Sequence, residues 1–323
     1  MAEIIKFPLQ IEKQKSDSNR LDLSPEEILK RLPIDSGASG LDVFNEILSA
    51  QVDAQNNAPI KEFLGLSPNQ MRQIHYSRFE FDNELFRFSC ESNEQLGAPP
   101  IVTHALYIME KIAETEGRMR ATQKGNLPKA VVLEMYDKFF ARDGYEYFRP
   151  GHGEEDSIEI HRTKFLLKES GFIKIRSGKF SLTQAGQKIL ERNNRVDLYK
   201  QLFLSFANKL NWGYFDRYPD FALIQASLVF NLLLIHKNAK QWVRGEDIGK
   251  VFFRAFPMMA EEECKSHFGQ PGDDVVHSFT TRFLHRFCAP MGLVELEEEA
   301  PMASCNIRLR ETNFFKDCFE FKA

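Results

Sequence analysis

Apolar residues recur at three- to four-residue intervals along most of this chain and alternate in only a few short runs, a pattern that predicts a mainly α protein with small β-hairpins. Ser24-Pro25-Glu26-Glu27 reads as a helix start: serine caps, proline takes the first helical position and the acids face the positive end. The pattern predicts helices over 24–32, 41–51 and 60–64. Gly65-Leu66-Ser67-Pro68-Asn69-Gln70-Met71 starts another, to about residue 76. A short strand is expected over 84–89, and the Gly/Pro segment 95–100 marks a domain boundary.

The middle third is the most legible. A helix over 101–114 carries Leu106, Met109, Ile112 and Ala113 on one face. A short extended piece follows at 118–122, then a helix from Pro128 through Phe139, a loop at 142–153 and a third helix over 155–169. Residues 172–176 and 179–182 alternate as strands around a two-residue Ser177-Gly178 turn. Thr183 caps a closing helix to Arg192. Helix, short strand, helix, helix, hairpin, helix is the order of a winged helix; a three-helix bundle with an unrelated hairpin is the alternative.

The same order recurs, with helices expected over 221–237, 245–256 and 274–287, the last capped by Asp273, then a hairpin over 293–297 and 306–310 and a final helix over 313–319. In each unit a Phe-Leu pair (Phe165-Leu166; Phe283-Leu284) leads through a glycine (Gly171; Gly292) into the first strand. A linking helix over 198–210 ends in the aromatic turn 211–219. The architecture expected is therefore tandem winged-helix-like units preceded by an α-helical N-terminal region. Its parts are a polar segment 1–23, a helical region 24–97, a winged-helix domain 98–195, and a linking helix plus second winged-helix-like domain 196–323.

Composition adds boundaries to this picture. The 323 residues are 43% hydrophobic and include 29 Phe, enough for a large aromatic core. The net charge of −4 is unevenly spread: −6 over 1–100, +4 over 101–200 and −2 over 201–323. A general nucleic-acid coat is excluded, and a local basic patch in the middle third is not. Cys90, Cys264, Cys288, Cys305 and Cys318 are odd in number and widely spaced, which fits reduced thiols better than a disulfide framework. The first residues lack a signal-peptide core, and the most apolar run, 221–235, is interrupted by Gln225, Ser227 and Asn231. A cytoplasmic protein with no membrane partner is expected.

Four segments carry a resemblance: Gly65 to Met71, Thr122-Gln123-Lys124-Gly125-Asn126-Leu127-Pro128, Leu182-Thr183-Gln184-Ala185-Gly186, and Asn211-Trp212. Over roughly residues 60–260 the chain resembles a group of bacterial proteins of unknown role with a central winged-helix segment. It is distantly similar to winged-helix segments attached to plasmid-encoded proteins. The resemblance implies a bacterial source and the winged-helix fold, and supplies no activity.

Candidate chemistry sits in three places. His161, Lys164 and Lys168 fall at i, i+3, i+7 of the third helix, and Lys174, Arg176 and Lys179 decorate the hairpin. A helix in the major groove with a wing over the backbone needs such cations. Against this, Glu154, Glu155, Asp156 and Glu159 load the start of the same helix, the end that would face the bases. Lys124, Gly125, Asn126 and Lys129 bring lysines and backbone N–H groups to a helix start, an anion site or simply a cap. Cys264 and His267, with His285 and Cys288, make two x2-spaced pairs that could hold a zinc ion; separate structural roles are the plainer reading. Arg282 and Arg286 form a small basic spot or pair with nearby acids, and Trp212, Tyr214, Phe215 and Tyr218 stack a ligand or pack the two units together. No nucleophile elbow, dinucleotide fingerprint or His-Glu-x-x-His occurs. The residues leave three readings open: a non-enzymatic regulator that binds a protein partner or forms a homodimer, a DNA binder using residues 154–182, and a zinc-dependent enzyme.

Overall fold

Helix starts follow the side chains that cap them. In the computed structural model, which describes residues 37–116, 118–141, 153–215, 218–263, 270–298 and 307–322, Ser67 accepts from the Gln70 amide while Gln70 returns a bond to the Ser67 N–H. This capping box opens α2 (Pro68–Tyr76). The expected helix over 24–32 lies outside the described residues. The helix expected over 41–51 is present and longer, as α1 (Gly37–Asn57). The chain divides into two compact units between Asn56 and Asn57.

Within residues 57–323 the protein is mainly helical, with small antiparallel sheets. The short helix expected over 60–64 is instead a hydrogen-bonded turn, because Leu64 and Gly65 take positive φ values of 58° and 93° that a helix cannot contain. β1 (Phe86–Phe88) and α3 (Asn93–Leu96) lead to α4 (Pro100–Glu114). The face expected to be buried on α4 is only partly so: Met109 and Ile112 are in the core, Leu106 is half-buried and Ala113 is exposed. Ile101, Val102, Ala105, Tyr107 and Ile108 are also buried, so α4 is covered around most of its circumference.

α5 (Lys129–Phe139), a 3-10 turn (Glu154–Asp156) and α6 (Ile158–Glu169) follow. β2 (Ile173–Arg176) and β3 (Lys179–Leu182) pair antiparallel through Ser177 and Gly178, both at positive φ, as a tight hairpin turn requires. Arg120 bridges Lys179 on the open side of β3, which adds a third short extended piece. Thr183 accepts from the Gly186 amide and opens α7 (Gln184–Arg192); α8 (Arg195–Asn208) follows.

The helix expected over 221–237 is two helices, α9 (Ala222–Ala226) and α10 (Leu228–Asn238). The break falls at Ser227, whose hydroxyl donates back to the Leu223 carbonyl. β4 (Val243–Arg244), α11 (Gly245–Ala255) and α12 (Asp273–Phe279) come next. α12 continues as a π-helical stretch (Thr280–Cys288). β5 (Val294–Glu298) and β6 (Ile307–Glu311) form the second hairpin, and β4 joins its β6 side to give the order β4-β6-β5. The arrangement parallels the first hairpin, where the piece at Arg120 lies beside β3.

The final helix, α13 (Asn313–Cys318), ends a residue sooner than expected because Phe319–Phe321 leaves as β7 and pairs with β1. A phenylalanine-rich core joins these parts. Phe203 on α8 lies 4.9 Å from Phe79, 5.1 Å from Phe81, 5.1 Å from Phe287 and 6.1 Å from Phe319, ring centroid to centroid. Trp212 stacks on Phe287 at 4.6 Å and donates its indole N–H to the Phe206 carbonyl at 2.9 Å, so the aromatic turn packs inward at this residue. Tyr218 is half-buried, whereas Tyr214 is 74% exposed.

A buried carboxylate and an exposed basic hairpin

The site follows from the order loop, acidic turn, helix. The loop at 122–128 is closed by Thr122, whose carbonyl accepts from Gly125 N–H and whose hydroxyl accepts from Asn126 N–H. Facing it is the 3-10 turn, which brings Glu154 and Glu155 back onto the loop. Glu154 has a fully buried side chain. One of its oxygens, Oε2, accepts from the Leu127 amide at 2.7 Å; the other lies 2.6 Å from His161 Nδ1 and 2.7 Å from Lys164 Nζ. Lys164 Nζ also donates to Asn126 Oδ1 at 3.2 Å. Glu155 takes the outer part of the loop: Lys124 Nζ lies 2.9 Å from one of its oxygens and Asn126 Nδ2 lies 3.1 Å from the other. Lys124 beside it holds the Glu155 carboxyl below the usual range.

The candidate anion residues thus do meet at a helix start, but Lys124, Asn126 and the Leu127 amide already hold two carboxylates of the same chain. Gly125 supplies the positive φ (78°) that the loop needs, and Lys129 is exposed on the first turn of α5. The basic strip divides in the same way. His161 and Lys164 point inward onto Glu154, and only Lys168 of the three is exposed. All four acids expected to repel a polyanion have partners in the protein itself: Glu154 and Glu155 hold the loop, Asp156 accepts from the Gly153 amide at 3.1 Å and Glu159 from the Ser157 hydroxyl at 3.4 Å.

α6 as a whole is an interior helix. Ile160, Arg162, Thr163, Lys164, Leu166 and Leu167 are buried, and Lys168 is its one exposed residue. Arg162 donates to the Arg286 carbonyl at 2.8 Å, across to the π-helical stretch, and its charge lies 5.4 Å from the Phe206 ring. Burial lowers the Arg162 pKa to about 10. The stretch Asp273–Cys288 is equally internal, with Asp273 its one exposed residue. Arg282 donates to the carbonyls of Tyr218, Pro219 and Asp220 at 3.3, 2.8 and 2.7 Å. It forms one wall of a cleft of about 420 Å³ that Trp212 and Gln225 also line. Gln225 spends its amide on the Ala207 and Leu210 carbonyls and its oxygen on the Trp212 N–H.

Cys264 and His267 lie outside the described residues. His285 and Cys288 are on the π-helical stretch; Cys288 is fully buried, and burial raises its thiol well above the usual range. Among the described residues no group of three His, Cys, Asp or Glu gathers as a metal set. Cys90, Cys288 and Cys318 are buried free thiols.

The hairpin residues form a different kind of surface. Lys174, Arg176 and Lys179 are all exposed, with Ile173 and Phe180 on the buried face and Ile175 and Leu182 half-buried beside them. Arg120, not singled out in the sequence, is exposed and directly opposite Lys179. Its signal was the alternation Met119 in, Arg120 out, Ala121 in, on a piece too short to stand out alone. No helix among the described residues is long and apolar enough to cross a membrane. Comparison of the chain with protein-family models, with curated proteins and with solved structures yields no match.

Proposed function

We propose that this chain is a non-enzymatic interaction protein built from two winged-helix units, one over 100–192 and one over 228–318, that binds a protein partner or a second copy of itself. One observation carries the reading: the third helix of each unit, the element that reads bases in a DNA-binding winged helix, is interior. α6 exposes only Lys168, α12 with its π-helical continuation exposes only Asp273, and Arg162 ties one to the other. Helices used this way join the two units and leave their outer loops for partners. Exposed Tyr76 and Tyr214 offer the amphipathic rings that protein interfaces favour. In the cleft, Gln225 and Arg282 spend their side chains on backbone carbonyls, which suits a scaffold better than a catalyst.

The alternative, a DNA binder using the third helix and wing over 154–182, loses its helical half to this burial, and His161 and Lys164 with it. Selection of bound duplexes from a random-sequence pool separates the two readings. The scaffold reading expects no consensus sequence. A consensus that disappears in Lys168→Ala would overturn it. Sedimentation equilibrium then tests the second-copy form, with self-association expected to weaken in Tyr214→Arg.

A further inference from the structure

The outer face of the first hairpin carries a row of like charges. Arg120 and Lys179 are directly opposite each other, and the bonds that flank them, Phe180 N–H to Met119 O at 2.8 Å and Ala121 N–H to Gly178 O at 2.9 Å, mark a non-hydrogen-bonded pair. In such a pair the side chains stand closest, with Cβ atoms about 4.5–5.5 Å apart. Lys179 is also opposite Arg176 across the turn, and Lys174 is two residues along β2 on the same face. Four cations therefore share one side of three adjacent extended pieces, with Ser181 and Thr122 among them. Among the described residues, none of the four has a carboxylate within ion-pair distance.

The second hairpin shows how the same geometry looks when it is balanced. Its corresponding row is Arg244, Arg308 and Glu297, and the next is Arg310 opposite Glu295. Arg310 lies 2.7 Å from Glu295, Arg308 3.9 Å from Glu297 and Arg244 3.2 Å from Glu246. Like charges directly opposite one another weaken a sheet. The first hairpin keeps them with no acid among the described residues to offset the repulsion, whereas the second has an acid at each place.

We propose that Arg120, Lys174, Arg176 and Lys179 dock the phosphate backbone of duplex DNA, without reading its sequence. Among the described residues this face presents cations and hydroxyls, the chemistry of phosphate contact, and lacks the apolar centre that a protein partner would need. Strand spacing of about 4.8 Å and a residue repeat of about 6.8 Å set the charges in a flat two-dimensional array that a regularly charged polymer can follow. The inference goes beyond the scaffold reading and rests on the hairpin alone.

Fluorescence anisotropy of the full chain with a labelled duplex of about two helical turns, titrated with salt, tests it. Four phosphate contacts give a slope of log affinity against log salt near −3.6, so a fourfold rise in salt should weaken binding roughly a hundredfold. Arg120→Glu with Lys179→Glu should lower affinity at least tenfold and flatten the slope by about 2. Arg72→Glu, an exposed cation elsewhere, should change neither. Arg176→Gln with Lys179→Gln, which only neutralises, should flatten the slope by the same amount while the thermal midpoint holds or rises. A slope unmoved by both pairs of substitutions overturns the proposal. So does poly-glutamate that binds as tightly as the duplex, since the face would then serve an acidic protein segment.

Discussion

Glu154 shows how one residue can redirect a whole surface. A carboxylate with no exposure costs several kcal/mol to desolvate, and here His161, Lys164 and the Leu127 amide offset that cost together. Removing it leaves Lys164 buried without its counter-charge. Glu154→Ala should therefore lose about 3–5 kcal/mol of stability in urea unfolding, whereas Glu155→Ala, on an exposed pair, should leave the unfolding midpoint almost unchanged. His104 is a second buried polar residue of consequence. It lies between the Phe139 and Phe140 rings at 5.0 and 4.7 Å, and burial, aided by the charge of Arg162, lowers its pKa to about 4. His75 is lowered to about 4 by the same burial. The unfolded chain binds these protons from about pH 6.5 downward and the folded chain does not, so stability falls with pH through that window and the loss is complete near pH 4. Each histidine should cost about 2 kcal/mol between pH 7 and pH 5. Unfolding of His104→Phe at the two pH values should show a correspondingly smaller difference.

At the scale of elements, the joints between helix and strand are the tightest. Gly186 sits in the first turn of α7, where an added Cβ would lie 2.2 Å from the Phe172 carbonyl oxygen, and that oxygen also accepts the Thr183 N–H. Backbone cannot yield as a side chain can, so Gly186→Ala should destabilise by about 2 kcal/mol or more and shift the β2–β3 amide resonances. Such joints also explain how far the sequence could be read. Thr183, Ser67 and the Ser177-Gly178 turn act within a few residues of themselves, and the elements they start or reverse were legible. Helical spacing correctly put His161 and Lys164 on one strip. It could not say that the strip faces inward, because the partner acid belongs to a turn held by the loop at 124–127. The break at Ser227 and the π-helical stretch were hidden for the opposite reason: both sit inside segments whose helical spacing carries on past them, and a hydroxyl enters the hydrogen-bond ladder there, as Ser227 does at Leu223 and Thr280 at Val276.

At the scale of residues 57–323, stability rests on rings that meet from distant parts of the chain. Phe319 lies 5.0 Å from Phe88, 4.9 Å from Phe315 and 6.1 Å from both Phe86 and Phe203. Phe319→Ala should cost about 3–5 kcal/mol. Because β7 is the partner of β1, the loss should also appear far away in sequence, as faster hydrogen exchange at residues 86–88. An exchange change confined to residues 315–322 would mean that the pairing contributes little. Pairing of this kind was not legible, since Phe319 reads as the last residue of the preceding helix until the distant strand is known.

The distance between those two strands matters during synthesis. Residues 86–88 leave the ribosome more than two hundred residues before 319–321, and until then Phe86 and Phe88 flank an open hydrogen-bonding edge. Nascent chains on one message would present the same Phe-Arg-Phe edge to each other. A translation product that stops just short of position 319 would therefore keep nearly all its helices and still be sticky. Its fate in the cell would be decided by chaperones and proteases before any partner was met.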